Sequence, residues 1–375
     1  MNDRIQVYGP LLEDDDRAAV DEGMSRGWLG MGNDTGRFEA AVQSVLDPEH
    51  HVVALSTGSA ALHVALLVAG IGPGHEVIVP SLCHLSNVQA VLATGAEPVL
   101  CDVLDDTLCV DPEAVEALLS PQTRAVMPLD YGASLYDAPA LQRVIEGRDI
   151  RVVHDAAHSF GSSVRGAAVG TQSDLCIFSF DPVKVLTAID AGILVTRNEE
   201  ELRAARELRL LGSDQPSGVM YLNSRTWDYD AVRVGFRYHL SNIHGCLGAN
   251  QITKLDRVRT NRQASCRQYV DRLKGIDAVQ LVSTEFDDLC PFLFAIRVPG
   301  ETRDDLRASL TEQGIDTGIH WRPAHEHTHF LNLRQGPVPV AAAAGQELVS
   351  LPLHSSPMPE AVIDRVCEAV LKFYR

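Results

Sequence analysis

The strongest constraint on this chain is rhythm. Over its first ~240 residues, short runs rich in β-branched and apolar residues alternate with stretches of helical spacing, and that alternation specifies an α/β fold. The runs predict strands at His51–Leu55, Glu76–Pro80, Glu97–Val103, Ala125–Asp130, Val152–Asp155, Asp174–Phe180 and Gly192–Thr196. Helices are predicted at Ala60–Ala69, Leu85–Ala93, Pro112–Leu119 and Ala138–Ile145. Strands separated by helices imply a mainly parallel, seven-stranded sheet, in which ligands gather beyond the C-terminal ends of the strands. After Phe236 the texture changes. The later part of Ser241–Lys274, from Ala249, reads as one long helix. Val279–Val298 reads as strands around the turn at Glu285–Asp288, and Arg303–Gln313 and Glu360–Phe373 as helices. With 375 residues the chain exceeds one small core, so a large α/β domain over 1–245 and a smaller α+β domain over 246–375 are expected.

Composition removes several classes. A formal charge of −18 is spread along the chain and opposes general binding of nucleic acid. No apolar run reaches the roughly 18–20 residues of a membrane span, and Met1-Asn2-Asp3-Arg4 has no apolar leader, so a cytoplasmic location is the default. The eight cysteines form no C-x-x-C pair and read as free thiols. Lysine is scarce: beside 28 arginines there are four lysines, and Lys184 is the only one in the first 253 residues.

Three segments carry candidate chemistry. At Ser56-Thr57-Gly58-Ser59-Ala60-Ala61-Leu62 a strand ends and a helix begins, and its leading amides suit a phosphate; a plain Ser/Thr N-cap is the competing reading. Val152–His158 ends a buried strand on Asp155. A carboxylate there could hold a pyridine nitrogen protonated, or merely cap the next helix, and His158 lies three residues on. In Phe178-Ser179-Phe180-Asp181-Pro182-Val183-Lys184, a strand delivers Ser179 and a proline-bearing turn presents Lys184. Burial among apolar groups would lower the amine's pKa and make it a nucleophile. The alternating spacing of His320, His325, His327 and His329 could put three imidazoles on one face of a strand as metal ligands, yet no cysteine or acid pattern completes such a site.

The order and separation of these segments resemble the DegT/DnrJ/EryC1/StrS family of sugar aminotransferases, of aspartate-aminotransferase fold type I, over nearly the whole chain. The resemblance begins at Gly27-Trp28 and Gly32…Phe38-Glu39. It runs through Ser56–Leu62, Gly70–Pro80, Gly95–Pro98, Asp102, Asp155–Gly161 and Phe178–Lys184. It closes at Gly235–Asn242, Gly318–His325 and Leu351–His354.

The resemblance implies pyridoxal 5'-phosphate as cofactor, with Lys184 joined to its aldehyde and shuttling the proton. Asp155 would pair with the pyridinium and His158 would lie near the ring hydroxyl. Gly58, Ser59 and Ser179 would hold the phosphate. His84 stands where the family has an aromatic stacked on the ring. Arg237, where the family has an Asn reaching the neighbouring subunit's phosphate, would enter the partner's site in a homodimer. His239 replaces an Arg, Asp190-Ala191-Gly192 replaces "EGG", and His320 and Trp321 would line the substrate pocket. The implied reaction moves an amino group from L-glutamate or L-glutamine to a keto sugar, nucleotide-linked in the commonest case, with a free keto-cyclitol or aminoglycoside precursor as runner-up. A sugar dehydratase is disfavoured because such relatives lack the lysine, and a cofactor-binding regulator would not need it.

Overall fold

The computed structural model describes residues 4–375. Its centre is a seven-stranded sheet in the order His51–Leu55, Gly192–Thr196, Leu175–Ser179, Arg151–Asp155, Thr123–Val126, Glu76–Pro80, Glu97–Cys101. Gly192–Thr196 runs antiparallel to both neighbours, and the other pairings are parallel. The strands are apolar along nearly their whole length because helices cover both faces. Val53, Leu55, Val79, Val153, Ile177 and Leu194 pack in one core cluster with the helix Gly58–Val68, and Ala54, Phe178, Ile193 and Val195 in another with Phe38 and Val42 of the helix Asn33–Val45.

Beyond the large sheet, Gln280–Leu281, Phe294–Arg297 and Leu348–Leu351 form a three-stranded antiparallel sheet. The helices Leu255–Leu273, Gly300–Glu312 and Glu360–Phe373 pack on it around Tyr269, Leu306, Ile363 and Val370. The N-terminal segment joins this part: Tyr8–Gly9 pairs in parallel with Leu353–His354, and Ile5 bridges Ile315.

The long helix expected from Ala249 is two helices. The first, Asn242–Ile252, starts on Ser241, whose hydroxyl accepts the amide of His244. It ends where the Thr253 hydroxyl returns to the Asn250 carbonyl at 2.7 Å. The second starts at Leu255. Between them Lys254 is drawn inward, its ammonium bound to Glu13, Asp15 and Asp16 at 3.2, 2.7 and 2.5 Å. A buried ammonium needs such partners, and the break lets it reach them. All eight cysteines are buried and unbridged. Among the described residues no helix is long and apolar enough to cross a membrane.

Candidate active site

The parallel strands deliver their C-terminal ends to one edge of the sheet, and a cavity of about 320 Å³ opens there. Its lining includes Gly58, Ser59, His84, Asp155, His158, Ser179, Lys184, His320 and Trp321. Nine of the ten residues singled out from the sequence therefore meet in one place. The tenth, Arg237, is exposed and lies outside this lining. A larger surface groove, about 1450 Å³, runs past Tyr136, Arg151 and Asp174 and contains neither Lys184 nor Asp155.

Lys184 follows a tight turn whose geometry Asp181 sets: its carboxylate accepts the Val183 amide at 3.0 Å and its carbonyl accepts the Lys184 amide at 3.0 Å. The Lys184 ammonium sits 4.3 Å from the centre of the Phe292 ring. Burial lowers its pKa to about 8, with Asp155 and Asp181 opposing the fall. An amine in that range is partly neutral near physiological pH and can act as nucleophile and base.

Asp155 closes its strand with a buried carboxylate. One oxygen accepts the Asn87 side-chain amide at 2.7 Å, the other the Ala157 amide at 3.0 Å. The Asn87 carbonyl oxygen, equally buried, has no hydrogen-bond partner among the described residues. His158 is buried and accepts the Gly132 amide on Nδ1 at 3.2 Å. That bond puts the neutral ring's proton on Nε2. Burial, then the charges of Lys184, His320 and His84, hold its pKa well below the ordinary value. The ring stacks on Trp321, with centroids 5.0 Å apart, and leans on Phe292 at 4.3 Å.

The phosphate end is shaped by two glycines. Thr57 caps the helix Gly58–Val68 by accepting the Ala60 amide. A side chain at Gly58 would put its Cβ 3.0 Å from the Ser179 hydroxyl, filling the space between the helix start and Ser179. At Gly192, an added Cβ would lie 2.1 Å from the Thr57 carbonyl oxygen. Ser59 and Ser86 hydroxyls are 2.5 Å apart, and His84 accepts the Ser86 amide on Nδ1.

On the opposite wall, the Tyr8 hydroxyl is 2.5 Å from His320 Nε2, and His320 Nδ1 is 2.8 Å from the Ser350 hydroxyl. Burial, then Lys184 and His84, lowers His320 to about 4, and burial raises Tyr8. The pair is uncharged across the working range. The other histidines of that segment part company. His325 bonds Ser81 at 2.7 Å, His327 faces the Arg322 carbonyl and His329 is exposed, on two short 3-10 turns instead of a strand.

Asn87, Tyr8 and Phe292 escaped sequence reasoning. Asn87 had a signal, a polar residue on the apolar side of the helix Leu85–Ala93. Tyr8 and Phe292 had none, because each arrives from a segment remote in sequence.

These residues fit pyridoxal phosphate on this structure's own evidence. There is a glycine-made cradle at a helix start, a buried carboxylate aimed into the cavity, a ring N–H donor and a lone partly neutral lysine. The chain matches the DegT/DnrJ/EryC1/StrS aminotransferase family over residues 10–371. Among solved structures it is similar to TlmJ, an aminotransferase from Streptoalloteichus hindustanus, with 29% identity, 98% of each chain covered and a TM-score of 0.90. It is also similar to DesV of S. venezuelae, with 29% identity, 99% of each chain covered and a TM-score of 0.89. A third is 3-amino-5-hydroxybenzoic acid synthase, with 25% identity, 96% of this chain and 97% of that one covered and a TM-score of 0.86.

Proposed function

This chain belongs to the DegT/DnrJ/EryC1/StrS aminotransferase family and is a pyridoxal-phosphate-dependent aminotransferase, and from that membership we propose that it moves an amino group from L-glutamate or L-glutamine to a keto sugar. The acceptor in this reading is nucleotide-linked and the setting is cytoplasmic amino-sugar or antibiotic biosynthesis. The observation that carries it is the meeting of Lys184, with its pKa near 8, and the Asn87-braced carboxylate of Asp155 in one cavity.

When bound, pyridoxal phosphate supplies an aldehyde that an amine can attack and a protonated pyridine ring that draws electrons from the neighbouring carbon. Lys184 would hold that aldehyde, and its partly neutral amine would carry the proton that the transfer moves. Asp155 would hold the ring nitrogen protonated, and the Asn87 amide and the Ala157 N–H fix the orientation of its carboxylate. His158, with its proton on Nε2, would donate to the ring hydroxyl. Gly58, Ser59 and Ser179 would take the phosphate, His84 would cover the ring, and Arg237 would serve a second copy in a homodimer.

The acceptor side is uncharged. Tyr8 and His320 present neutral hydrogen-bonding groups beside Trp321, which suits a hydroxyl-rich ring. A free keto-cyclitol or aminoglycoside precursor is the second reading; the likeness to 3-amino-5-hydroxybenzoic acid synthase, named for a carbocyclic product, favours it. The test is spectroscopic. Holoenzyme given L-glutamate or L-glutamine should lose its absorbance above 400 nm, and a keto-sugar nucleotide should restore it. No change with either donor, or restoration by keto-cyclitols alone, would overturn the reading or replace it with the second.

A further inference from the structure

The helix Leu85–Ala93 begins at the edge of the cavity, and His84 and Ser86 from its start belong to the lining. Its N-cap is His84, whose imidazole accepts the Ser86 amide on Nδ1 at 3.3 Å. The usual capping residues present a side-chain oxygen there, so a histidine in that place is uncommon. Behind its first turn the helix is anchored. Val88, Ala90 and Val91 lie in the core cluster that also holds Ala61, Val64 and Ala65 of the helix Gly58–Val68. The starts of two helices therefore line one cavity from a common close-packed core.

That first turn reaches both ends of the site. Toward the phosphate end, the Ser86 hydroxyl is 2.9 Å from His84 Nδ1 and 2.5 Å from the Ser59 hydroxyl. An amide N–H only donates, so Nδ1 offers its lone pair and carries no proton. The Ser86 proton then has two acceptors, Nδ1 and the Ser59 oxygen, and serves one at a time. When Ser59 turns its own proton to a phosphate, its oxygen is left to accept. Ser86 can supply that bond while its amide stays on Nδ1. Toward the ring end, Asn87 is buried and gives its side-chain amide to Asp155 at 2.7 Å. The leading amides of a helix have no partners within it, so loss of the cap would loosen both contacts together.

We propose that the first turn of the helix Leu85–Ala93 is a brace joining the two ends of the cofactor site: His84 holds it by capping through Nδ1, Ser86 orients the Ser59 hydroxyl toward the phosphate, and Asn87 orients the Asp155 carboxylate toward the ring nitrogen. His84 and Ser86 are thus positioning residues, and His84 acts through a ring nitrogen as well as through its flat face. These roles rest on the reading of the cavity as the seat of pyridoxal phosphate. Substitution can separate the two tasks of His84, because phenylalanine covers a ring without capping and asparagine caps without covering.

Variants of the full-length protein test the brace, each checked for its fold by circular dichroism. Affinity is read by titrating cofactor-free protein with pyridoxal phosphate and with pyridoxal, which lacks the phosphate. On the loaded protein, NMR reads the phosphorus signal of the phosphate and the signal of an isotope-labelled ring nitrogen. Ser86→Ala should weaken pyridoxal phosphate about fivefold and shift the phosphorus signal, while pyridoxal binding and the ring-nitrogen signal stay as they were. His84→Phe should weaken both ligands about fivefold and shift both signals. His84→Asn should return both signals toward their parental positions. If the unaltered protein binds no pyridoxal phosphate, the reading of the cavity has failed and the brace with it. If it binds, and Ser86→Ala and His84→Phe bind as tightly with both signals unmoved, the reading of the cavity stands and the brace falls. His84→Phe that matches the parent while His84→Asn is impaired would make His84 a ring cover alone and equally overturn the proposal.

Discussion

Asn87 donates its side-chain amide to the Asp155 carboxylate, with the Met127 sulfur as a weaker second acceptor at 3.4 Å. The bond to Asp155 is 2.7 Å long and buried; a hydrogen bond to a charged group contributes about 1.5–3 kcal/mol. Asn87→Ala should therefore lower kcat roughly 10- to 100-fold, and Asn87→Asp, which faces one carboxylate with another, should be worse and recover at low pH. A variant as active as the parent would remove Asn87 from the mechanism. Lys184 gives a prediction with a sign. Its amine must be neutral to attack the cofactor aldehyde, and burial lowers its pKa to about 8. Capture of pyridoxal phosphate by apoenzyme should rise with pH up to about 8 and then level, where an ordinary lysine would keep climbing toward about 10.4. Asp155 opposes the depression, so Asp155→Asn should move the inflection downward. An inflection that moves up would contradict the electrostatic account.

The element that most tightly couples fold to site is the antiparallel strand Gly192–Thr196. It enters the sheet between His51–Leu55 and Leu175–Ser179 and passes so close to the Thr57 carbonyl that only glycine fits at 192. Because the obstruction is backbone, Gly192→Ala should cost about 3 kcal/mol of stability, read as a lower urea midpoint, together with weakened cofactor retention. Equal midpoints would refute the packing argument. Much of this was legible in the sequence. His51–Leu55, Glu76–Pro80 and Gly192–Thr196 span the apolar runs that predicted them, because strands buried on both faces advertise themselves by composition. The motifs at Asp155 and Lys184 are local, so their elements could be placed from a dozen residues each. What could not be read was long-range pairing. The union of Tyr8–Gly9 with Leu353–His354 places Tyr8 in the cavity, and nothing within either segment declares it. The helix break at Lys254 depends on carboxylates about 240 residues away, and local spacing there is helical throughout.

At the scale of the molecule, a division into 1–245 and 246–375 remains our proposal. The boundary falls inside the helix Asn242–Ile252, so limited proteolysis cutting first at the exposed Thr253 that follows this helix would support it. The N-terminal tie of Ile5 and Tyr8 to the C-terminal part should then keep both fragments associated. The homodimer with shared sites that we propose also has a direct consequence. Lys184→Ala and Arg237→Ala chains, each inactive alone, should regain activity when mixed and reassembled, to about a quarter of parental sites under random pairing. No recovery despite confirmed exchange would mean that each chain completes its own site. Underneath all of this lies one bond. Borohydride reduction of the yellow holoenzyme, followed by digestion and mass spectrometry, should place a single phosphopyridoxyl group on the peptide containing Lys184 and none on Lys254, Lys274 or Lys372. A label on any of those three, or no label on a protein that still transaminates, would contradict the account.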